Sequence, residues 1–227
     1  MRTPGFRLGI YVYQDAEVMD VSIPYGVFSV ARRYAPDLSV FLVGETRAPV
    51  QAAAGLALLP RYAIDDRPAL DAFLVPGGAG ARDELYNPRL HDYLRALPPA
   101  CLLAGLGTGA WIYARLGLLD GLPATSRKEP DPIEASHLGQ APLDRLASLA
   151  PASRISRARV VDAGRLVTAG GAAAALDLGL HLLHRAGLAQ DVVEDIVRVM
   201  EYQHARRHYR DDIEYAGAHA SASSLPA

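Results

Sequence analysis

The sequence predicts a single α/β domain, a mostly parallel sheet flanked by helices on both faces in a flavodoxin-like sandwich. Three observations point there. Short apolar runs alternate along the chain with stretches of helical spacing. Small-residue loops follow three of the predicted strands, around Gly77, Gly107 and Gly170. Neither an internal repeat nor a shift of composition divides the 227 residues.

Residues 7–13 form a β-rich run that ends at Gln14 and Asp15, after which Val18, Val21, Val27, Val30 and Ala31 recur at helical spacing. Strand, loop and helix follow in that order. Residues 39–43 read as a second buried strand, and 51–60, with Gly55 in the middle, suit a small hairpin. A third apolar strand, 72–76, opens directly onto Gly77-Gly78-Ala79-Gly80. Pro88 starts a helix over 88–97, and a strand over 100–106 comes next. Gly107-Thr108-Gly109 then turns the chain into a helix over 111–119. A brief strand over 123–126 precedes a polar, proline-broken loop over 127–140. Residues 159–162 and 166–169 flank Ala163-Gly164 as a hairpin, and 173–185 is an Ala/Leu helix. Asp191 and Glu194 have the spacing of a capping box for a last helix over 192–203. The domain is therefore set at 1–203, with 204–227 as a C-terminal extension expected to be mobile after Ala216.

Half of the residues are hydrophobic and 21% are charged, which excludes a wholly disordered chain. Lys and Arg number 23 against 25 Asp and Glu, a net charge of −2 that disfavours nucleic acid as a partner. Lys128 is the sole lysine. Cys101 is the sole cysteine, so an intramolecular disulfide and any cysteine-based zinc or iron–sulfur centre are ruled out, and a reducing cytoplasm fits. The first apolar run is too short for a signal peptide and no apolar stretch reaches ~18 residues, so neither export nor a membrane span is expected.

The most informative stretch is CLLAGLGTGAWIYARLGLLDGLPATS. A buried strand that ends in Gly-Thr-Gly-Ala and turns at once into a helix describes a nucleophile elbow, the strained turn that presents a reactive side chain near a helix N-terminus. The turn position here is Gly107, which has no side chain.

With that elbow and the following Gly-Leu-Leu-Asp-Gly, three further segments resemble the ThiJ/PfpI superfamily, the class I glutamine amidotransferase-like fold. They are Val75-Pro76-Gly77-Gly78, Met19-Asp20-Val21-Ser22-Ile23-Pro24 and residues 166–177. The resemblance covers roughly residues 7–203 and is best to the isonitrile hydratase branch. It implies that Asp20 is the acidic residue that bonds the nucleophile or acts as acid/base, that Thr108 is the hydroxyl residue after the elbow, and that Gly78 belongs to the backbone donor loop. It also implies that Gly107 stands where relatives carry the reactive cysteine, and that Thr125-Ser126-Arg127 replaces a common Thr-Thr-His. Protease, deglycase and amidotransferase chemistry through a cysteine is then not expected. Cys101 lies ~20 Å upstream along the same strand and reads as a small buried hydrophobe. The family further implies a homodimer.

Two readings of Asp20 stand side by side: a general acid/base for hydration, elimination or isomerisation, shielded by Tyr25 or Trp111, or a cap for a helix beginning near Ile23. Backbone N–H groups of Gly78 and Thr108 would stabilise developing negative charge. The substrate-binding set is Gly77, Gly78, Gly107, Gly109, Trp111, Arg127, Lys128 and Gly170. Arg127 and Lys128 either grip a substrate carboxylate or phosphate or form an exposed charged loop, and a Schiff base at Lys128 is the less favoured alternative. His204 and His208, with Glu201 a turn before, have helical metal-ligand spacing but sit in a strongly polar stretch that reads as a solvated face. No metal and no cofactor is expected. His181 and His184 read as the outer edge of an amphipathic helix. The expected function is a small-molecule enzyme of the hydratase, lyase or isomerase type working without a cysteine. The alternative is a catalytically inactive binding or sensory protein.

Overall fold

A computed structural model describes residues 5–130, 140–203 and 212–216. The chain runs β1 (Arg7–Val12), α1 (Val18–Ala31), β2 (Ser39–Gly44), β3 (Val50–Gln51), β4 (Ala57–Leu58), β5 (Tyr62–Ala63), β6 (Ala72–Val75), α2 (Ala81–Glu84), α3 (Pro88–Ala96) and β7 (Leu102–Leu106). It continues with α4 (Ala110–Arg115), β8 (Pro123–Ala124), α5 (Pro142–Leu149), β9 (Arg154–Ile155), β10 (Val160–Asp162), β11 (Leu166–Ala169), α6 (Ala174–Arg185), α7 (Gln190–Val199) and β12 (Ile213–Tyr215).

Among the described residues, eight strands make the central sheet in the order β12-β10-β11-β7-β6-β1-β2-β5, and only their β10–β11 pairing is antiparallel. β6 and β7 are buried along their whole length, which is why they read as unbroken apolar runs rather than alternating ones. Helix α1 packs against α6 and α7, and α4 against α2 and α5, so both helical layers of the sandwich are present. Chain order reverses beside β1, whose neighbours are β2 and β6. That is a topological switch point, and the carboxyl ends of the parallel strands β1, β6, β7 and β11 lie next to one another there.

Several expectations need correction. The helix over 111–119 stops at Arg115, because Gly117 takes the left-handed φ of 71°. The strand expected at 123–126 is the two-residue β8, paired with β9 outside the central sheet. No capping box starts α7: Ala189 is its N-cap, the Asp191 carboxylate accepts from the next amide, Val192, and Glu194 accepts from Gln190. The same helix ends at Val199, where Glu201 turns to φ 54°. Helices α2 and α5 were not expected. The boundary at 203 also shifts, since β12 pairs in parallel with β10 and belongs to the sheet. Residues 204–211 and 217–227 lie outside the described residues, and with them the His204/His208 pair and the expected mobile tail. Among the described residues no helix is long and apolar enough to cross a membrane, and no group of three or more His, Cys, Asp or Glu is placed to hold a metal ion.

His181 is not at an outer edge. It is buried, and its Nε2–H donates to Asp162 Oδ2 at 2.7 Å, while Arg185 Nη1 reaches both Asp162 oxygens at 2.8 and 2.6 Å. Burial works against ionisation of Asp162, but the hydrogen bonds from His181 and Arg185 outweigh it and hold the carboxyl down at about 2. The group ties α6 to β10 through charge. Asp162→Ala is expected to cost about 2 kcal/mol in urea denaturation at pH 7, because buried His181 loses its acceptor and the solvent-exposed Arg185 loses its carboxylate. That difference should shrink as pH falls from about 4 toward 2, where Asp162 itself becomes protonated.

A candidate active site where four strands end

Residues 13–17 leave β1 by a turn, and Glu17 caps α1 by accepting the Met19 amide at 3.3 Å. The cap reading of Asp20 is therefore wrong. Asp20 sits in the first turn of α1 and is 3% exposed. Pro24, four residues on, removes the amide that would otherwise bond the Asp20 carbonyl. The side chain points toward the loop after β6, where its Oδ2 accepts the Gly77 amide at 2.9 Å. Its Oδ1 is buried and has no hydrogen-bond partner among the described residues.

The loop after β6 is held from several sides. The Gly77 carbonyl accepts the Glu17 amide at 2.7 Å, and the buried Tyr13 hydroxyl reaches the carbonyls of Pro76 and Gly77 at 2.7 and 2.9 Å. Gly78 follows with a φ of 133° against the β1 turn, so close that a Cβ there would stand 2.3 Å from the Asp15 carbonyl oxygen. Only glycine fits.

The elbow is present as geometry. Gly107 has φ 55°, at the point where β7 turns through residues 107–109 into α4. Its amide donates to the Gly170 carbonyl at the end of β11, 2.8 Å away, and its carbonyl accepts the buried Ser126 hydroxyl at 2.7 Å. A Cβ built on Gly107 would stand 3.3 Å from Asp20 Oδ2 and 3.6 Å from the Gly170 oxygen. The turn position thus faces the Asp20 carboxylate. Cys101 precedes β7 at its other end, ~20 Å away, and burial pushes its thiol up to about 11.

Burial pushes the Asp20 carboxyl up to about 7, against the lowering effect of the Gly77 hydrogen bond. Glu17 adds to the rise, and the positive charge of Arg127 opposes it. Lys128 is half-buried, with Nζ donating to the Ala158 carbonyl at 2.7 Å and standing 2.8 Å from where a Gly170 Cβ would be. Burial lowers its pKa to about 8, opposed by Asp212 and reinforced by Arg159 and Arg157. Arg127 is also half-buried, with its stem 3.5 Å from the Cβ position of Gly171. The exposed-loop reading of this pair does not hold.

The structure thus brings together Asp20, Gly77, Gly78, Gly107, Thr108 and Gly170, with Lys128 beside Gly170 and the charge of Arg127 felt at Asp20. Four expected roles change. The Gly78 amide is not open to a ligand, because it donates to Thr108 Oγ1 at 3.0 Å, and the same hydroxyl lies 3.2 Å from the Gly78 carbonyl it donates to. Trp111 is buried in the core and its indole N–H donates to the Pro142 carbonyl at 2.9 Å, docking α5 rather than lining a pocket. Tyr25 is exposed and does not shield the carboxylate. Gly109 is a packing glycine, since a Cβ there would lie 2.2 Å from the Val75 carbonyl oxygen. Sequence reasoning gave no site role to Ser126 and Tyr13, whose hydroxyls fix the two loops. Their only signal was position, each at the end of an apolar run.

Asp20 carries a pH consequence. A carboxyl whose pKa rises from an ordinary value near 4 in the unfolded chain to about 7 in the folded one destabilises the fold progressively as pH climbs through that window. Asp20→Asn is expected to leave stability at pH 4 near that of the unmodified chain and to raise it at pH 8 by roughly 4 kcal/mol at most. Urea midpoints at the two pH values check this, and parallel pH trends for the two proteins would contradict it.

Comparison with known proteins agrees with this fold. The sequence pattern of the DJ-1/PfpI family matches residues 7–185. The chain is similar to an isonitrile hydratase of Pseudomonas putida, 28% identical over 224 residues that cover 98% of this chain and 84% of the relative. It is also similar to an HTH-type transcriptional regulator of Pseudomonas aeruginosa, 29% identical over 136 residues, 60% of this chain and 34% of the regulator. Among solved structures, a ThiJ/PfpI family protein from Pseudomonas syringae superposes with a TM-score of 0.73 at 24% identity, covering 88% of this chain and 76% of that one.

Proposed function

The chain belongs to the DJ-1/PfpI family, and from that premise we propose that it is a small-molecule hydratase in which Asp20 moves protons without a cysteine nucleophile. One observation carries the reading. A buried carboxyl with an unpartnered oxygen and a pKa of about 7 faces the elbow, at the place where a side chain on Gly107 would be. Near neutral pH such a group is present in both protonation states, which is the condition for an efficient general acid and base.

Similarity to an isonitrile hydratase suggests the substrate class. Hydration of an isonitrile gives an N-substituted formamide, R–NC + H2O → R–NH–CHO. Protonated Asp20 delivers its proton to the terminal carbon. Water adds to that carbon and returns a proton to the carboxylate, and the resulting imidic acid tautomerises to the formamide. Atoms and charge balance with no covalent enzyme intermediate. Thr108 acts as a positioning residue, because its hydroxyl is committed to Gly78. Lys128 and Arg127 supply positive charge at the edge of the site.

A second reading, a sensory protein that binds a metabolite without transforming it, is favoured by the bare Gly107 and by the likeness to a transcriptional regulator. Incubation with benzyl and cyclohexyl isocyanide, followed by chromatography of the formamides, separates the two. The hydratase reading expects turnover that falls at least ~100-fold in Asp20→Asn while the folded far-UV spectrum is kept, and that declines as pH rises above about 7. Turnover unchanged by the substitution would contradict it. A rise in melting temperature with the isonitrile recovered intact would favour the sensory reading.

A further inference from the structure

A cleft of about 570 Å³ opens at the other end of the sheet, and none of the residues discussed above for catalysis lines it. It lies between the start of β1, the loop ahead of β6 and the last turns of α3, with the buried side chains of Ile64, Leu70, Tyr93 and Leu97 as its floor. Its size falls within the range of small-molecule sites, and it combines a floor of apolar side chains and the Tyr93 ring, whose buried hydroxyl has no partner among the described residues, with a charged rim. β1 spans six residues, or ~20 Å, so the cleft and the Asp20 site are separated by the length of a strand.

The charged groups around the cleft are unequal. Arg7, Arg67 and Arg89 face Asp65 and Asp92. Arg7 is bonded to Asp71 at 2.8 Å, and Arg89 to Glu45 and Asp65 at 2.8 and 2.7 Å. Asp92 is bonded to Arg95 at 3.3 Å. Arg67 is the remaining lining cation, and it has no carboxylate partner among the described residues. It occupies a left-handed backbone position, φ 45° and ψ 55°, that glycine or asparagine would take with less strain. A long cationic side chain is thus carried by a disfavoured backbone at the charged rim of a cleft with an apolar floor.

We propose that this cleft is a second binding site, which takes a compact apolar carboxylate with its hydrocarbon body on the Ile64–Leu70–Leu97 floor and its anionic head on Arg67. The apolar floor supplies desolvation, and a guanidinium with no carboxylate partner among the described residues donates two N–H bonds to a carboxylate in bidentate geometry without breaking an existing ion pair. The site is independent of the Asp20 chemistry.

Isothermal titration calorimetry on the full chain with 4-phenylbutanoate, octanoate and 4-phenylbutanamide tests it. Saturable binding of at least one acid is expected, with the amide at least ~10-fold weaker than its acid. Arg67→Gln should weaken the acid ~10-fold and leave the amide unchanged, and Arg67→Lys should recover part of the loss. Ala96→Trp, at an exposed position on the cleft wall, should abolish binding of both, while Asp20→Asn should leave binding unaltered. Equal affinity for acid and amide, insensitivity to Arg67→Gln, loss of binding in Asp20→Asn, or no saturable binding of either acid would each overturn the proposal.

Discussion

The hydrogen bond from the Gly77 amide to Asp20 Oδ2 joins the loop after β6 to the first turn of α1, two segments 57 residues apart, and the surrounding geometry follows from keeping it. Gly77 is in place because Tyr13 and the Glu17 amide hold its carbonyl, and Glu17 is in place because it caps α1. Gly78 must then pass so near Asp15 that no Cβ is tolerated. Its amide is taken by Thr108, which ties this loop to the elbow after β7. Gly107 in turn is fixed by Gly170 and Ser126. Four strand ends are locked around one carboxyl group.

That carboxyl differs from the other buried acids. Asp162 is met by Arg185 and His181, and Asp177 by Arg159 at 2.6 Å. In both cases a cation offsets the cost of leaving water, and the pair fastens α6 to the β10 edge of the fold. Among the described residues, Asp20 receives one neutral amide on one oxygen and no hydrogen bond on the other. A single amide does not outweigh burial, so the proton is held to about pH 7. The same family of interactions that secures the far edge of the sheet is withheld at the switch point, and the difference in partners is what leaves Asp162 ionised and Asp20 protonated up to near-neutral pH.

Much of the fold was legible because it is carried by local chemistry. Continuous apolar runs mark β1, β6 and β7, since a parallel strand covered on both faces has no polar side to show. The glycine loops at 77, 107 and 170 were legible for the same reason, as turns that follow buried strands. β12 was not, because three residues in a polar stretch carry no periodicity of their own and gain their structure from β10. His181 was misplaced because a histidine on a helix looks polar until its acid partner, 19 residues earlier, is known. The Asp20 position was readable through the family resemblance, but its electrostatics were not. Nor was the mutual bond of Gly78 and Thr108, which join across 30 residues and remove a donor from the site. Pairings of this kind depend on register between strands, and no single stretch of sequence contains them.

The ionisation of Asp20 itself is the most direct test. Carbon-detected NMR of aspartate side-chain carboxyls, with Asp20→Asn used to assign the resonance, follows that one group through a pH titration. The account predicts a midpoint near 7 for the resonance that disappears in the variant. A midpoint in the ordinary aspartate range, about 4, would contradict it.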